Sequence, residues 1–354
     1  MTRTPRACRL VAAAACALML GGCETLSYYT QAVGGQLALT TAARPIDAVM
    51  VDPATSAELR AKLGTALEIR DFASRELGLP DDGSYRKYAD LNRPFVVWNL
   101  FATPEFSTKA IEYCFPVTGC VSYRGYFAEA DARAYAAKVA AQGYDVQVSG
   151  IPAYSTLGWF DDPLLSTFIR YPESELARLV FHELAHHIVY VKGDTDFNES
   201  FAVSVERVGV RRWLAAHKYD SDLAAFITAR ERQAEFIALI GAAKKRLDRV
   251  YESGLVEGPM REAKRAGFDE LRRDYAALKA RWGGYAGYDR ILGTVPGNAL
   301  LASITAYSRY VPGFEKMIEA AGGDLPRFYA AVKDLAKRPK KERCIALGAS
   351  SEGC

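Results

Sequence analysis

The chain has 354 residues, half of them apolar and a quarter charged, which is the composition of a globular protein with a sizeable core. Three of its 45 basic residues lie in the first 22 positions, so the rest of the chain carries 42 basic against 42 acidic residues. This balance gives no reason to expect a nucleic-acid partner, and we predict none.

The first 22 residues have the pattern of a bacterial lipoprotein signal peptide. A segment with three arginines precedes apolar residues 10–20, which are too few to span a bilayer, and Leu20-Gly21-Gly22-Cys23 follows. Because Leu20-Gly21-Gly22-Cys23 resembles a lipobox, we predict cleavage before Cys23 and a lipid anchor on its thiol. An ordinary secretory signal with a chance cysteine is the alternative. By resemblance to Gram-negative lipoproteins, Glu24 indicates an outer-membrane protein that faces the periplasm.

The part of the chain after a short N-terminal helix and tether is expected to mix helices and strands. Apolar spacing predicts helices over Ser56–Leu77 and Ala128–Gln142. Residues that favour β-structure predict strands over Pro94–Leu100, Val121–Phe127 and Asp145–Val148. The aromatic segment Ile151–Phe160 is expected to form an extended edge.

From Pro172 onward the sequence is mostly helical. The predicted helices are Glu173–Lys192, Phe197–His217, Asp220–Glu252, Pro259–Arg281 and Leu325–Leu335. The third and fourth are long, charged and joined by a glycine-containing turn, so we expect a projecting antiparallel hairpin. The fifth is expected to be the last helix, followed by a basic tail.

Four cysteines remain after the leader and Cys23, namely Cys114, Cys120, Cys344 and Cys354. An even number in an oxidising compartment predicts two disulfides, and three pairings are possible. We favour the local pairs Cys114–Cys120 and Cys344–Cys354. A structural zinc site is disfavoured because paired C-x-x-C spacing is absent from the sequence.

Three of the four histidines lie in the helical segment His182-Glu183-Leu184-Ala185-His186-His187. Positions i and i+4 share one helix face, so His182 and His186 can bind one zinc ion. Glu183 projects beside the metal as a general base. The alternative is a chance motif on a buried helix, which would not also supply a third ligand.

The next helix offers that third ligand. Glu199 follows a short turn and can face back toward the two histidines, which leaves a fourth position for water. Glu206 lies seven residues later on the same face and can orient a zinc-binding histidine, or it is an ordinary surface glutamate. His187 is expected to be a packing or surface residue, and His217 is given no role.

The segments His182–His186 and Asn198–Ala202 resemble the gluzincin pattern of thermolysin-like and aminopeptidase-N-like enzymes. The spacer of twelve residues, 187–198, is shorter than the eighteen of the aminopeptidase-N pattern, so the two helices must turn sooner. Most of the chain is similar to a family of bacterial lipoproteins with an aminopeptidase label, most specifically over Gly119–Phe127 and Ala153–Pro163.

This resemblance implies a fold and a division of the chain. The fold is α+β, with a zincin-like catalytic core, a small N-terminal β-sheet and a helical C-terminal half that includes the hairpin. The expected segments are the signal peptide 1–22, tether and first helix 23–52, catalytic core 53–219, hairpin 220–283, and helical part 284–354, which closes the site.

The resemblance also implies roles for further residues. Gluzincins use a distant Tyr or His to stabilise the oxyanion, and Tyr307 is our choice among Tyr285, Tyr288, Tyr307 and Tyr310. The segment Tyr154-Ser155-Thr156-Leu157-Gly158 is expected to bind the peptide backbone by strand addition, or else to be an aromatic packing loop. The aminopeptidase-N motif that grips the substrate amine is missing, and Asp161 or Asp162 is a possible substitute.

We therefore predict a zinc metallopeptidase, anchored in the cell envelope, in which Glu183 moves protons between an activated water and the leaving amine. An aminopeptidase is the favoured form. The alternative is an envelope interaction protein with a zincin scaffold and a structural zinc ion. An amidase acting on cell-wall peptides would share the chemistry and differ in substrate.

Overall fold

The computed structural model describes residues 25–116, 119–293, 296–305 and 309–349. Cys23, Tyr307 and Cys354 lie outside these ranges. The fold is mixed α+β, mostly helical with small sheets, as predicted at that level. Within the described ranges, no helix combines the length and the apolar character needed to cross a membrane.

Helices account for most of the described chain. They are α1 (25–42), α2 (Ile46–Val51), α3 (Ala57–Leu77), α4 (Glu129–Ala140), α5 (Glu173–His186), α6 (Thr195–Ala216), α7 (Asp220–Tyr251), α8 (Glu257–Arg281), α9 (Asp289–Leu292), α10 (Asn298–Thr305), α11 (Val311–Ala320), α12 (Leu325–Ala336) and α13 (Lys340–Ala346). One hydrophobic cluster joins α3, α5, α6, α11 and α12, so the N-terminal and C-terminal parts share a core.

The strands are short and form three small sheets. They are β1 (Arg44–Pro45), β2 (Lys87–Ala89), β3 (Val97–Pro104), β4 (Tyr113–Phe115), β5 (Gly119–Val121), β6 (Arg124–Tyr126), β7 (Tyr144–Ile151) and β8 (Leu164–Leu165). The sheet orders are β1-β2-β8, β6-β3-β7 and β4-β5.

The sheet β6-β3-β7 contributes residues to one wall of the cavity described below. Strand β3 is antiparallel to both neighbours, with Trp98 opposite Tyr126 on one side and Gly150 on the other. Two residues of β3, Leu100 and Ala102, pack on α4, which is why this strand is almost wholly buried. The predicted strands 94–100 and 145–148 correspond to β3 and β7, which extend farther. The predicted strand 121–127 instead divides at Tyr123 into β5 and β6.

Helix α5 is shorter than predicted. It ends at His186 rather than at Lys192, because the turn after it has its own hydrogen bonds. The side chain of Asn198 accepts from Val191 N at 2.7 Å and donates to Val191 O at 2.9 Å. Asp194 caps α6 by accepting from Phe197 N. These polar side chains satisfy backbone groups that would otherwise favour continuing the helix.

Helices α7 and α8 do not project freely, contrary to the sequence-based expectation. They pack along each other through Phe236, Leu247 and Leu271, and α10 adds Leu300 and Leu301 to the same cluster. Their connected ends are also tied to the β3–β7 sheet. Lys264 of α8 contacts Asp145 of β7 at 2.7 Å, and Asp248 of α7 bonds to the hydroxyl of Thr108.

The C-terminal part differs from the prediction in one element. Helix α12 agrees with the predicted helix 325–335 and is capped by Asp324, which accepts from Arg327 N at 3.0 Å. It is not the last helix, because the basic segment continues into α13. Buried Arg343 of α13 pairs with Asp194 at 2.6 Å, and this contact ties α13 to the start of α6.

The first of the two predicted disulfides is confirmed. Cys114 and Cys120 are bonded and lie opposite each other in the antiparallel pair β4–β5. The predicted pair Cys344–Cys354 falls partly outside the described residues. Tyr123 lies just after strand β5, and Phe115, Val121 and Tyr123 line the cavity described next.

Candidate active site

The site begins with two histidines on one face of α5. His182 and His186 are one helical turn apart, and their ring centroids are separated by 5.0 Å. The opposite face of α5 is formed by Ala177, Val180 and Leu184, all buried in the main cluster. Because that face is fixed in the core, the two imidazoles on the other face are directed toward a cavity and not toward the core.

Glu199 of α6 completes a three-residue cluster with these histidines. Its Oε2 lies 3.3 Å from Nε2 of His182, and its Oε1 lies 3.9 Å from Nε2 of His186. One ligand atom from each of the three residues can be chosen so that all lie within 4.8 Å of one another. Four ligands about 2.0–2.1 Å from a tetrahedral zinc ion lie about 3.4 Å apart, so the donor atoms fit a zinc site.

Glu206 supports the cluster from behind. Its Oε2 lies 2.8 Å from Nδ1 of His182 and 3.1 Å from Nη1 of Arg178. Its side chain is only 4 % exposed, so this contact is shielded from water. A carboxylate at Nδ1 keeps the hydrogen there and leaves Nε2 free to bind a metal. Nδ1 of His186 is buried without a hydrogen-bond partner in the described chain, so the two histidines are not equivalent.

The charges of the cluster favour a bound cation. Burial lowers the pKa of His182, but hydrogen bonds to Glu199 and Glu206 outweigh burial and raise that pKa to about 10. Burial lowers the pKa of His186 to about 4. Although burial opposes ionisation of Glu199 and Glu206, their cationic neighbours hold both pKa values below the usual range. The two carboxylates thus face two histidines of which only His182 carries a positive charge. A divalent cation can occupy this site in place of the proton on His182.

Glu183 lies beside the cluster without belonging to it. It is buried, and burial raises its pKa to about 7, although the positive charge of His182 opposes the shift. The nearby charges of Glu199 and Asp162 raise the pKa further. A carboxyl group with a pKa near neutrality can both accept and donate a proton under ordinary conditions.

A cavity of about 510 Å³ opens directly in front of these residues. Its lining includes His182, Glu183, His186 and Glu199, so the possible metal ligands and the base face one common space. The volume lies in the usual range of about 300–1,000 Å³ for ligand pockets. The arrangement therefore has donor atoms for a metal, a titratable carboxyl group and room for a substrate.

The sequence model of the family described as "Putative aminopeptidase" matches residues 27–347, which include every element from α2 to α13. The chain belongs to this family. No curated protein and no solved structure gives a significant match. For this member of the aminopeptidase family, the roles of individual residues must therefore be argued from its own geometry.

The predicted substrate-binding segment lies at the cavity but is not a strand. Tyr154, Ser155 and Leu157 line the cavity, whereas Thr156 and Gly158 do not. Strand β7 ends at Ile151, and Leu157 has a φ of 59° that no extended strand allows. The backbone is therefore not extended at Leu157, so regular strand pairing cannot run through that residue.

Hydrogen bonds explain why the segment turns. Oδ2 of Asp162 accepts from Thr156 N at 2.9 Å, and the hydroxyl of Ser155 accepts from Leu157 N at 3.0 Å. Side chains that bond to nearby backbone N–H groups offer the chain an alternative to a sheet. Asp162 is thus used internally and does not line the cavity, and Asp161 forms an exposed pair with Lys87. Neither aspartate is placed to hold a substrate amine.

His187 has a structural partner set that the sequence did not predict. Its Nδ1 lies 2.9 Å from Oδ2 of Asp82, and its Nε2 lies 3.1 Å from Oγ of Ser155. Its side chain is 4 % exposed, so it is a buried linker rather than a surface residue. Because it follows His186 directly, it joins the end of α5 to the segment that forms one side of the cavity.

The tyrosines considered for the oxyanion fall elsewhere. Tyr285 and Tyr288 pack around Trp282 beside α7 and α8, and Tyr310 is buried in the main cluster; none of them lines the cavity. Tyr307 lies outside the described residues. Two other tyrosines, Tyr123 and Tyr190, do line the cavity beside Glu199.

Tyr123 is the clearest residue that the sequence analysis missed. Burial, followed by the negative charge of Glu199, raises its pKa well above the ordinary value, so its hydroxyl keeps its proton. The stretch Gly119–Phe127 had been singled out only for its family resemblance. Helix α1 agrees with the short N-terminal helix predicted beside the tether, but its contribution of Tyr28 and Tyr29 to the cavity lining was not predicted.

Proposed function

We propose that this protein is a zinc metallopeptidase, and that it acts as an aminopeptidase, the activity for which its family is named. The observation that carries the proposal is the convergence of His182, His186 and Glu199, with Glu183 beside them, at the edge of one cavity. Two imidazole nitrogens and one carboxylate oxygen are the donor set of a catalytic zinc site with one open position. A bound zinc ion would supply Lewis acidity, which acidifies a water molecule and polarises a carbonyl group.

Within this proposal Glu183 is the general base and then the general acid. It accepts a proton from the attacking water and passes it to the nitrogen of the leaving amine as the peptide bond breaks. Its position one residue after His182 allows it to reach the metal's open side without being a ligand. A pKa raised by burial suits both halves of this task.

Two further roles follow from the contacts of the cluster. Glu206 orients His182 through Nδ1 and keeps its Nε2 directed toward Glu199. The segment Tyr154–Gly158 is a side wall of the cavity that contacts the substrate through Tyr154, Ser155 and Leu157. For the oxyanion, Tyr307 is retained as the candidate from the sequence, and Tyr123 is added because it lines the cavity with a protonated hydroxyl.

We also propose that the protein is attached to the outer membrane through lipid on Cys23 and faces the periplasm. The leader pattern before Cys23 supports this placement. Tyr28 of the cavity lining comes five residues after Cys23. At about 3.3–3.6 Å per extended residue, the lipid would be within about 20 Å of the cavity. Labelling with a radioactive or clickable fatty acid, lost in Cys23→Ala, tests this placement.

The deciding experiment measures zinc content and hydrolysis together. Purified mature protein is assayed with aminoacyl-coumarin amides and with internally quenched peptides, before and after removal of zinc by a chelator. We expect hydrolysis that is lost with the metal and restored by zinc. Glu183→Gln should keep the zinc and lose at least about 10²-fold in kcat. Glu58→Gln, at an exposed position on α3, is the matched control and should change neither.

The outcomes separate the proposed enzyme from the interaction protein. Zinc that stays bound while neither substrate class is cleaved would favour a structural metal on a binding scaffold. Full activity in Glu183→Gln would remove the general base from the mechanism. Cleavage of blocked peptides only, with aminoacyl amides untouched, would keep the metallopeptidase and reject the aminopeptidase.

A further inference from the structure

The cavity in front of the candidate metal centre is mostly apolar and aromatic. Of its 21 lining residues, seven are aromatic, and the four at the centre are the only ones with ionisable acidic or imidazole side chains. Apart from these four residues and the tyrosine hydroxyls, the polar side chains of the lining are those of Asn99 and Ser155. A charged substrate side chain placed here would lose its hydration and would meet no opposite charge other than the centre itself. The chemistry of the walls therefore selects against acidic side chains.

One wall of the cavity is built by two separate segments that meet at Tyr28 of α1. The ring of Tyr28 is stacked on Phe115 of the disulfide-bridged hairpin, with centroids 5.4 Å apart. It also meets Tyr126 edge-on at 5.6 Å, and the guanidinium of Arg124 lies 4.1 Å from its centroid. A ring with three such contacts is held in one orientation, which makes it a surface with a defined shape.

Helix α1 is joined to the rest of the cavity by specific contacts. The side chain of Gln31 accepts from Phe127 N at 3.0 Å, and that of Gln36 bonds to the hydroxyl of Tyr154. At Gly35 a Cβ atom would overlap the ring of Phe127, so the helix backbone rests directly on a cavity residue. Because Phe127 and Tyr154 both line the cavity, α1 is part of the cavity wall and not a loose tether.

We propose that this cavity binds a large uncharged side chain of the substrate peptide, preferably an aromatic one, and that Tyr28 with Phe115 determines this preference. The inference rests on the proposed peptidase function, because it assigns the residue that the peptide presents next to the bond that is cut. Aromatic rings gain edge-to-face and stacked contacts on such a wall in addition to the burial of their apolar area. Asp and Glu side chains gain neither.

Binding is measured on the Glu183→Gln protein loaded with zinc, so that no turnover is needed. The ligands are three tripeptide amides with a free amino terminus that differ only in the first residue, which is Phe, Ala or Glu. We expect the Phe peptide to bind at least about tenfold more tightly than the Ala peptide, and the Glu peptide to bind most weakly. Equal affinities for the three peptides, or tighter binding of the Glu peptide, would overturn the inference.

Variants of α1 show which wall is responsible. Tyr28→Ala removes a ring from the wall, and Ala32→Phe takes up cavity space at another lining position, so both should reduce the ratio of Phe-peptide to Ala-peptide affinity. The control is Leu37→Ala, an exposed position on the same helix outside the lining, which should leave that ratio unchanged. A general packing defect would weaken both peptides together and keep the ratio, and that result would also count against the role of Tyr28.

The two proposals can fail separately. If the wild type cleaves peptides in a zinc-dependent way but the three affinities are equal, the function stands and the apolar pocket is rejected. If the affinity order is as expected but the zinc-loaded wild type cleaves no peptide, the pocket stands as a peptide-binding site and the enzymatic proposal is rejected.

Discussion

Glu206 Oε2 lies between Nδ1 of His182 and Nη1 of Arg178, at 2.8 Å and 3.1 Å. Through this one oxygen, Arg178, a partly buried arginine on α5, holds the carboxylate of Glu206, and that carboxylate in turn orients His182. The chain of contacts orients one possible zinc ligand before any metal arrives. A ligand that is already oriented loses little side-chain freedom on binding, and this favours metal affinity.

Replacing Glu206 with Gln should therefore weaken zinc binding by about 10–100-fold. The amide keeps the size of the side chain but removes the charge that holds the hydrogen on Nδ1. Competition titration with a zinc-sensitive chelating dye measures the change. The control is Glu315→Gln on α11, which breaks a partly exposed pair with Arg207 of α6 and should leave zinc affinity intact. Unchanged affinity in Glu206→Gln would show that the contact does not support the metal.

Zinc binding should also release a proton at mildly alkaline pH. The pKa of His182 is raised to about 10 in the metal-free protein, because its hydrogen bonds to Glu199 and Glu206 outweigh burial. At pH 8.5 this histidine still holds the proton that a metal must displace, so about one proton should leave per zinc ion bound. Apparent zinc affinity should accordingly rise about tenfold per pH unit up to that pKa.

Calorimetry in buffers of different ionisation enthalpy counts these protons.

The raised pKa of His182 also affects the free energy of unfolding of the metal-free protein. Since the pKa is higher in the folded than in the unfolded chain, His182 stabilises the metal-free fold below about pH 6.5, and this contribution is lost as the pH rises through about 10. A release of zero protons at pH 8.5 would contradict a charged His182.

Local geometry made the convergence of His182, His186 and Glu199 predictable. Histidines four residues apart on a helix share one face whatever the tertiary fold, and the following helix could offer only a few acids. Tyr28 and Tyr123 were not predictable, because both reach the cavity through packing of segments far apart in sequence. Nor does helical periodicity end α5 at His186, since the end depends on Asn198, which bonds back to Val191 across the turn.

Tyr123→Phe should lower kcat by about 10²–10³-fold if this hydroxyl stabilises the oxyanion. The substitution removes one donor and keeps the ring that packs near Phe101. Zinc content and peptide affinity should remain near those of the wild type, because the donor acts on charge that appears during the reaction. Tyr135→Phe, on α4 and outside the cavity lining, is the matched control. Tyr307→Phe is assayed beside it, and a loss confined to Tyr307→Phe would move the role from Tyr123 to that residue.

His187→Asn tests whether the link between α5 and the segment Tyr154–Gly158 positions substrate. His187 connects Asp82 to Ser155, and Ser155 in turn accepts from Leu157 N, so its loss should loosen one wall of the cavity while the metal ligands stay in place. We expect KM to rise about tenfold with kcat changed less, and zinc content to be unchanged. Ser155→Ala should act in the same direction with a smaller effect, because Asp162 still holds Thr156 N.

The connectivity Asp82–His187–Ser155 also matches that of a serine nucleophile with its base. If His187 and Ser155 only position the cavity wall, a fluorophosphonate probe should leave Ser155 unmodified. A covalent adduct on Ser155, found by peptide mass spectrometry, would show instead that this hydroxyl is a nucleophile.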